Sequence, residues 1–401
     1  MMPSVPDSEP AVLPAGMLRP DYDGAGLVNL MATIAAARGA NESIYPPLKL
    51  LENEQPERFR NILLIVIDGL GYEFLQQFPQ SAIAQHTRGA LTSVFPTTTA
   101  AAITTFLTGL APAQHGLTGW HIWLQEIGTL AAVLPFRSRG GHESLTQRGL
   151  DPAAVLDPQP LNARLAVDSH VISPARIAFS PFNNAFSRGA NIHAYDNLGQ
   201  FYATIVDVVK ADSADKYIYA YWPDLDHVGH QEGIGTAAAM QHFLDIDAGF
   251  AGLIEQLENS DTLVLLTADH GVIDTTEQSR VKFEQHRPLT AMLDVPLCGE
   301  PRAAYCYVHP GEHTAFENYI SAELGDIVTA IPSQRLVDTG LFGPGELHSQ
   351  LRARVGDFTL LMKEPYIVTD VLPGESPNTL VGVHGGLSAA ELYVPLAVVA
   401  T

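Results

Sequence analysis

The feature that most constrains the fold is an apolar run at residues 62–67, rich in β-branched residues, which stops at Asp68-Gly69. A short apolar run closed by a turn signal predicts a strand that is buried on both faces, as in a parallel sheet. Open α/β sheets bind their ligands at the carboxyl ends of such strands. Asp68 is therefore expected at the ligand-binding edge of a mostly parallel sheet.

A second constraint lies further along the chain, where Pro96, Thr97, Thr98 and Thr99 precede an alanine-rich run that ends at Gly109. Threonine caps helices, alanine favours helix propagation, and glycine commonly follows a helix end. The pattern predicts a helix with a threonine hydroxyl at its N-terminus, where backbone N–H groups and the helix dipole attract anions. Capping is the ordinary role of threonine there, but an acid at a strand end beside it indicates a metal-activated nucleophile.

Two further apolar runs, at residues 217–222 and 262–267, also end at acids. Histidines follow both runs, and another histidine lies among glycines near the C-terminus. Because the carboxyl ends of parallel strands meet at one edge of a sheet, these side chains are expected to lie close together. The candidate ligands are Asp68, Asp226, His230, Asp269, His270 and His384, with Asp224 or His227 as alternatives after the first run.

Carboxylate and imidazole ligands favour zinc or another borderline divalent ion over magnesium, which prefers oxygen ligands alone. Six ligands are too many for one tetrahedral zinc ion and suit two ions, each with three protein ligands and an open position. Two ions about 4 Å apart would stabilise the attacking and leaving oxygens of a displacement at phosphorus. The sequence therefore predicts a two-metal hydrolase that acts on a small-molecule phosphate ester.

Composition excludes some function classes. The 401-residue chain is 46% hydrophobic and has a formal net charge of −22. This charge argues against nucleic-acid binding and against anionic membranes, but not against a phosphate substrate, because bound cations would set the local field. Cys298 and Cys306 are too few for a disulfide framework and are expected to be reduced core residues. With no recognisable secretory signal and no long apolar segment, a cytoplasmic location is expected.

The domain organisation follows from changes in pattern along the chain. Residues 1–16 are rich in proline and acids and are expected to be disordered. The catalytic core is assigned to residues 17–296 and 366–401, and residues 297–365 to a small inserted α/β subdomain. Within the core, residues 119–181 have poor periodicity and are predicted to form an irregular, lid-like insertion. Its candidate substrate contacts are Trp120, Trp123, Phe136, Arg137 and Arg139.

Five sequence motifs carry a family resemblance: IDGLG, FPTTTAAAITTFLTGLAPAQHG, DHVGH, TADHG and VHGG. Together they resemble the type I phosphodiesterase/nucleotide pyrophosphatase branch of the alkaline phosphatase superfamily, over residues 58–290 and again from 375 to the end. The resemblance implies a mostly parallel central sheet flanked by helices, two zinc ions and a covalent phosphothreonine intermediate.

The resemblance also implies roles for single residues. By its motif, Thr99 would be the nucleophile and would also contact the metal that activates it. The spacing of the DHVGH motif selects Asp226 over Asp224 and His230 over His227. The implied ligands of the activating metal are Asp68, Asp269 and His270, and those of the second metal are Asp226, His230 and His384.

One position departs from the family pattern. Nucleotide-cleaving members carry an asparagine that contacts a phosphate oxygen, and here Trp120 occupies that position. A phosphomonoesterase or phosphonate hydrolase on the same core is therefore an alternative, as is a catalytically silent metal-binding homologue. A sulfatase is excluded because the segment from Cys298 to Arg302 spaces its proline wrongly for the sulfatase signature.

The distribution of cations favours diesters over monoesters. A monoester is largely a dianion near neutral pH, and enzymes that prefer it usually place Arg or Lys against the extra charge. No Lys or Arg lies between Arg88 and Arg137, an interval that contains the whole nucleophile segment. A diester carries a single charge and a second organic group, which the aromatic residues after the nucleophile helix could contact. Two alternatives remain open: the aromatic residues are core residues, or Arg137 or Arg139 folds back to serve a monoester.

Overall fold

The computed structural model describes residues 13–40, 43–141, 143–372, 374–377 and 379–401. The strands are β1 Asn61–Ile67, β2 Thr87–Thr92, β3 His121–Leu124, β4 Thr129–Ala132, β5 Arg137–Ser138, β6 Asp168–Pro174, β7 Asn191–Tyr195, β8 Lys216–Trp222, β9 Thr262–Thr267, β10 Ile273–Asp274, β11 Arg280–Lys282, β12 Leu293–Glu300, β13 Ala303–Val308, β14 Val328–Pro332, β15 Phe358–Met362, β16 Ile367–Thr369, β17 Gly382–Val383 and β18 Tyr393–Ala400. The α-helices are α1 Leu27–Ala37, α2 Tyr72–Leu75, α3 Ala82–His86, α4 Thr99–Thr108, α5 Pro112–His115, α6 Pro152–Leu156, α7 Ala175–Ala178, α8 Pro181–Phe186, α9 Leu198–Lys210, α10 Asp224–Glu232, α11 Ala237–Gln256, α12 Arg287–Ala291, α13 His313–Tyr319, α14 Ser333–Asp338, α15 Leu351–Arg354 and α16 Ala389–Leu392.

The central sheet has seven strands in the order β2-β18-β9-β1-β8-β6-β7. All neighbouring pairs are parallel except those of β18, which runs antiparallel to β9 and β2. Every residue of β1, β8 and β9 is buried, as expected of strands covered on both faces. The prediction of a mostly parallel sheet flanked by helices is confirmed.

The register of this sheet brings three acid-bearing strand ends to one edge. Ile67 is paired with Trp222, and Val66 is paired with Thr267. The backbone hydrogen bonds between β1 and β8 continue past the ends of the strands, because the Asp68 N–H donates to the Trp222 carbonyl at 2.9 Å. The Asp226 N–H in turn donates to the Asp68 carbonyl at 3.1 Å.

The helix predicted after Pro96 is α4. Thr98 is its N-cap residue in extended conformation, so Thr99 is the first helical residue. The helix ends at Gly109, whose φ of 71° lies in the left-handed region that favours glycine. All residues of α4 after Thr99 are buried, so packing against the core holds the helix and with it the position of the Thr99 hydroxyl.

A second sheet has seven strands in the order β14-β15-β13-β12-β3-β4-β5, all antiparallel to their neighbours. Four of its strands come from residues 293–362 and three come from residues 121–138. The two groups are joined where Gly299 of β12 is paired with His121 of β3. The predicted insertion therefore shares its sheet with a distant part of the chain.

The description of residues 119–181 as an irregular lid is corrected by the structure. This segment contributes β3, β4 and β5 to the second sheet and β6 to the central sheet. Strands β3 to β5 have two to four residues each, which is too short for a periodic pattern. Strand β6 is apolar mainly at Val171 and Ile172, so its sequence does not show a buried run. The finer domain boundaries stay a prediction.

Three further sequence predictions concern the N-terminal segment, the two cysteines and the cellular location. Residues 1–12 of the predicted disordered segment lie outside the described residues, whereas Leu13 packs against the apolar cluster that contains Tyr305. Cys298 and Cys306 are buried free thiols, as expected. Among the described residues, no helix combines the length and apolar character that crossing a membrane requires. The cytoplasmic location stays a prediction.

Candidate active site

The Thr99 hydroxyl lies beside the first group of predicted metal ligands. Its Oγ1 is 3.1 Å from Nε2 of His270. Nε2 of His270 is 3.5 Å from Oδ1 of Asp68 and 3.3 Å from Oδ2 of Asp269. One ligand atom from each of the three residues lies within 4.8 Å of the others. The group that the sequence predicts around the nucleophile is thus assembled.

The second group lies next to the first and consists of Asp226, His230 and His384, whose ligand atoms also lie within 4.8 Å of one another. Nε2 of His230 is 3.0 Å from Oδ2 of Asp226, and Nε2 of His384 is 3.8 Å from Oδ1 of the same residue. The ring of His384 stacks on that of His270 with centroids 3.7 Å apart, which places the two groups side by side.

The alternatives that the sequence left open are outside both groups. Asp224 lies on the outer side of α10, where its carboxylate pairs with Arg176 at 2.7 Å. Nε2 of His227 lies 3.0 Å from the side-chain amide of Gln231. The structure therefore brings Asp226 and His230, one helical turn apart on α10, to the site.

The three histidines share one hydrogen-bonding arrangement. Nδ1 of His270 lies 3.1 Å from the Gly271 carbonyl, Nδ1 of His230 lies 2.8 Å from the Gly382 carbonyl, and Nδ1 of His384 lies 3.0 Å from the Thr97 carbonyl. Because a carbonyl only accepts, each Nδ1 is positioned to donate its proton, and each Nε2 is the ring atom that faces the site. This arrangement is typical of histidines that bind metals through Nε2.

The carboxylates fit divalent cations. Oδ1 of Asp68, Oδ1 of Asp226 and Oδ2 of Asp269 are buried, and no described residue donates a hydrogen bond to them. Burial, together with the charges of Asp269 and Asp226, raises the pKa of Asp68 well above its usual range. Burial also raises the pKa of Asp269. Buried, unpaired carboxylate oxygens this close together are stabilised by cations, so the donor set fits two divalent ions.

A cavity of about 1020 Å³ opens onto both groups. Trp120, Arg137 and Arg139 line it, whereas Trp123 and Phe136 do not. Phe136 is fully buried in the main apolar cluster, and Trp123 packs against a second cluster, so these two predicted substrate contacts are structural.

The cavity's arginines differ in what they contact. Arg139 donates to Asp370 at 2.6 Å and to Glu375 at 3.0 Å, which neutralises its charge. The side chain of Arg137 is exposed.

Two residues of the candidate site were not predicted from the sequence. Tyr221, on β8, donates a hydrogen bond from its hydroxyl to Oδ2 of Asp68 and so orients that carboxylate. Glu300, at the end of β12, is buried in the cavity wall and accepts a hydrogen bond from Thr98. Burial raises the pKa of Glu300 to about 7. Successive side chains of β8 point to opposite faces of the sheet, and this alternation could have pointed to Tyr221. No local sequence signal marks Glu300.

The fold resembles solved structures of low sequence identity. Murine ectonucleotide pyrophosphatase/phosphodiesterase 5, as an inactive threonine-to-alanine variant in complex with AMP, matches with a TM-score of 0.61 at 18% identity, over 84% of this chain and 87% of that chain. The human protein of that name matches with a TM-score of 0.61 at 17% identity, with the same coverage. Phosphonoacetate hydrolase from Sinorhizobium meliloti, in complex with phosphonoformate, matches with a TM-score of 0.61 at 16% identity, over 85% of this chain and 90% of that chain.

Comparison of sequences identifies the family. No curated protein matches the chain significantly. The family model for type I phosphodiesterase/nucleotide pyrophosphatase matches residues 62–387. The match runs from the first residues of β1 to the loop after His384, and so contains the threonine segment and both groups of ligands. The chain belongs to the type I phosphodiesterase/nucleotide pyrophosphatase family.

Proposed function

We propose that the protein is a two-metal hydrolase of small-molecule phosphodiesters or pyrophosphates, with zinc as the metal and Thr99 as the nucleophile. The observation that carries the proposal is the 3.1 Å separation between Oγ1 of Thr99 and Nε2 of His270, a residue of the first ligand group. The inactive threonine-to-alanine form of the murine relative supports a catalytic threonine in this fold.

Each of the two ligand groups would hold one metal ion. Asp68, Asp269 and His270 would hold the ion next to Thr99, and the second group would hold the other. Such ions lower the pKa of a nearby hydroxyl and stabilise negative charge on the leaving oxygen. Histidine ligands favour zinc over magnesium at both positions.

Thr99 and the start of α4 supply the protein groups that would act on the phosphoryl group. Thr99 Oγ1 would form a bond to phosphorus while the bond from phosphorus to the leaving oxygen breaks, and the hydroxyl proton would pass through solvent to that oxygen. Water would then form a bond to phosphorus while the bond to Oγ1 breaks, and a proton from the water would restore the threonine hydroxyl. The Thr98 side chain does not cap the first turn of α4, because its hydroxyl donates to Glu300 instead. The first N–H groups of the helix therefore remain available to a phosphoryl oxygen.

The experiment is turnover by purified protein loaded with zinc. Bis-4-nitrophenyl phosphate, a thymidine 5′-phosphate nitrophenyl ester and a phosphonate ester are the three substrates. We expect turnover of the phosphodiesters that stops on chelation and returns with zinc. Turnover of the phosphonate ester alone would favour the phosphonate hydrolase alternative. Metal binding with no turnover of any substrate would favour a silent homologue.

A further inference from the structure

Glu300 occupies a position next to the nucleophile that the proposed reaction does not use. It is the last residue of β12, is 7% exposed, and lines the same cavity as the ligand groups. Its Oε1 accepts two hydrogen bonds, from Oγ1 of Thr98 at 2.5 Å and from the backbone N–H of Trp120 at 2.6 Å. Because Thr98 directly precedes Thr99, this carboxyl group is held one residue from the nucleophile.

The backbone around Glu300 is tightly packed, so the carboxyl group has little freedom to move away. A Cβ on Gly119 would lie 2.7 Å from Cα of Gly299, and a Cβ on Gly385 would lie 2.6 Å from Cβ of Glu300. Only glycine permits approaches this close. The second carboxyl oxygen, Oε2, accepts no hydrogen bond from any described residue, although the side chain reaches the cavity.

No described cation forms an ion pair with Glu300. Of the three arginines that line the cavity, Arg139 lies between Asp370 and Glu375, Arg176 pairs with Asp224, and Arg137 is exposed and forms no ion pair with Glu300. On the Thr98 side of the site, a phosphoryl group bound at Thr99 would thus face the Glu300 carboxylate. Two negative charges repel each other strongly at short range when water is excluded.

We infer that Glu300 determines specificity by disfavouring a second negative charge on the phosphoryl group, so that singly charged diesters are preferred to doubly charged monoesters. This inference rests on the proposed function. In a diester, an organic group replaces one charged oxygen, and the repulsion is reduced. Trp120, 38% exposed and bonded to Glu300 through its backbone, offers that organic group an aromatic surface at the same place.

The test is the Glu300→Gln variant. The glutamine carbonyl can still accept from Thr98 and Trp120, so the hydrogen-bonded geometry is kept while the charge is removed. The measurement is kcat/KM for bis-4-nitrophenyl phosphate and for 4-nitrophenyl phosphate on zinc-loaded protein. Because burial raises the pKa of Glu300 to about 7, the comparison is made at about pH 8.5, where the carboxyl is mostly ionised in the wild-type protein. We expect the diester-to-monoester ratio to fall at least tenfold in the variant.

Two further variants complete the design. Glu300→Ala removes the charge without introducing an amide, and it gives the same test if the glutamine variant does not fold. Glu277→Gln makes the same charge change at a side chain that is 65% exposed and does not line the cavity. We expect the Glu277 variant to keep the wild-type ratio.

The outcomes separate the inference from the proposed function. A fall of the ratio in every Glu300 variant that folds, with the Glu277 variant unchanged, supports the inference. An unchanged ratio in either folded Glu300 variant overturns it while the hydrolase assignment stands. If the wild-type protein with two bound zinc ions hydrolyses neither ester, the proposed function itself fails.

Discussion

Arg302 and Glu391 form a two-point ion pair in the interior: Nε of Arg302 donates to Oε1 of Glu391 at 3.1 Å, and Nη2 donates to Oε2 at 2.9 Å. Both side chains are at most 1% exposed. Glu391 also accepts from the Gly386 N–H at 2.8 Å and from the Ser388 hydroxyl at 2.7 Å. The pair therefore ties the turn between β12 and β13 to the loop that carries His384.

Replacing Arg302 with alanine should destabilise the protein strongly. The change leaves the Glu391 carboxylate buried without its partner, and such a loss costs about 3–5 kcal/mol. We expect chemical denaturation to report a loss of this size, together with weaker binding of the ion at His384. The matched control is Arg352→Ala, which breaks an ion pair with Asp338 whose side chains are about half exposed and should cost about 1 kcal/mol or less.

Thr99→Ala should abolish turnover and leave both ions bound. The hydroxyl is the proposed nucleophile, but six other ligands remain, so we expect kcat to fall by at least about a thousandfold. Elemental analysis of the same sample checks the metals. Thr98→Ala is the matched control, since its hydroxyl donates to Glu300 rather than facing His270. Near-normal activity in the Thr99 variant and inactivity in the Thr98 variant would show that the nucleophile is misassigned by one residue.

Protein purified without chelator should contain two divalent ions per chain. Each group offers three ligands with suitable spacing, and the histidines favour zinc. We expect His230→Ala to reduce the content to about one ion, because the group around Thr99 keeps all its ligands. Mass spectrometry of the metals checks both values. A content of one ion or none in the wild-type protein would rule out the two-metal reaction.

The wild-type enzyme should prefer a diester to a monoester. No Lys or Arg lies between Arg88 and Arg137, and the cavity's Arg139 is already paired with two carboxylates. The measurement compares kcat/KM for bis-4-nitrophenyl phosphate and 4-nitrophenyl phosphate on one zinc-loaded preparation. A tenfold advantage for the monoester, or about 1.4 kcal/mol of transition-state discrimination, would contradict the prediction.

Stability should decrease in mild acid because of His115. Burial lowers the pKa of its imidazole to about 3, so the unfolded chain takes up a proton before the folded protein does. The contribution is fully present above the ordinary histidine pKa of about 6.5, and it is lost progressively as the pH falls towards 3. The loss should reach a few kcal/mol.

The variant for this test is His115→Asn, whose side-chain oxygen can replace Nδ1 as the acceptor of the Leu117 N–H, a bond of 3.1 Å in the structure. Thermal unfolding between about pH 4 and 7 should show a shallower decline of Tm with acid in the variant than in the wild-type protein. His313→Gln, at a side chain that is 45% exposed, is the control and should keep the wild-type slope. Parallel slopes for wild type and His115→Asn would exclude His115 as the cause.

Much of the site could be predicted because its residues follow strands and helix starts that have strong local patterns. Asp68 follows the buried strand β1 directly, Asp269 lies two residues after the end of the buried strand β9, and Thr99 begins a helix with clear start and stop signals. Parallel pairing then brings these ends together, wherever they lie in the sequence. The choice of Asp226 over Asp224 required the family motif, because both residues lie in the first turn of α10.

Other features depend on pairings between distant segments, which local patterns do not reveal. Glu300 contacts Thr98 and Trp120 next to the site, where β12 pairs with β3 through Gly299 and His121. Phe136 lies in the turn between β4 and β5 and is buried in the main apolar cluster, a position that no periodic pattern in its own segment indicates. The short strands β3 to β5 can be recognised as strands only from their pairing in one sheet with the strands from residues 293–362.

The second sheet supplies no metal ligand, yet its strands β3, β5 and β12 contribute His121, Arg137 and Glu300 to the cavity wall. If the proposed roles are correct, bond cleavage and substrate choice depend on different sheets of the protein. We then expect mutations in the second sheet to change which esters are accepted without altering the ligand groups at the edge of the central sheet. A library confined to the side chains of this wall is consequently a rational starting point for redirecting the enzyme to new esters.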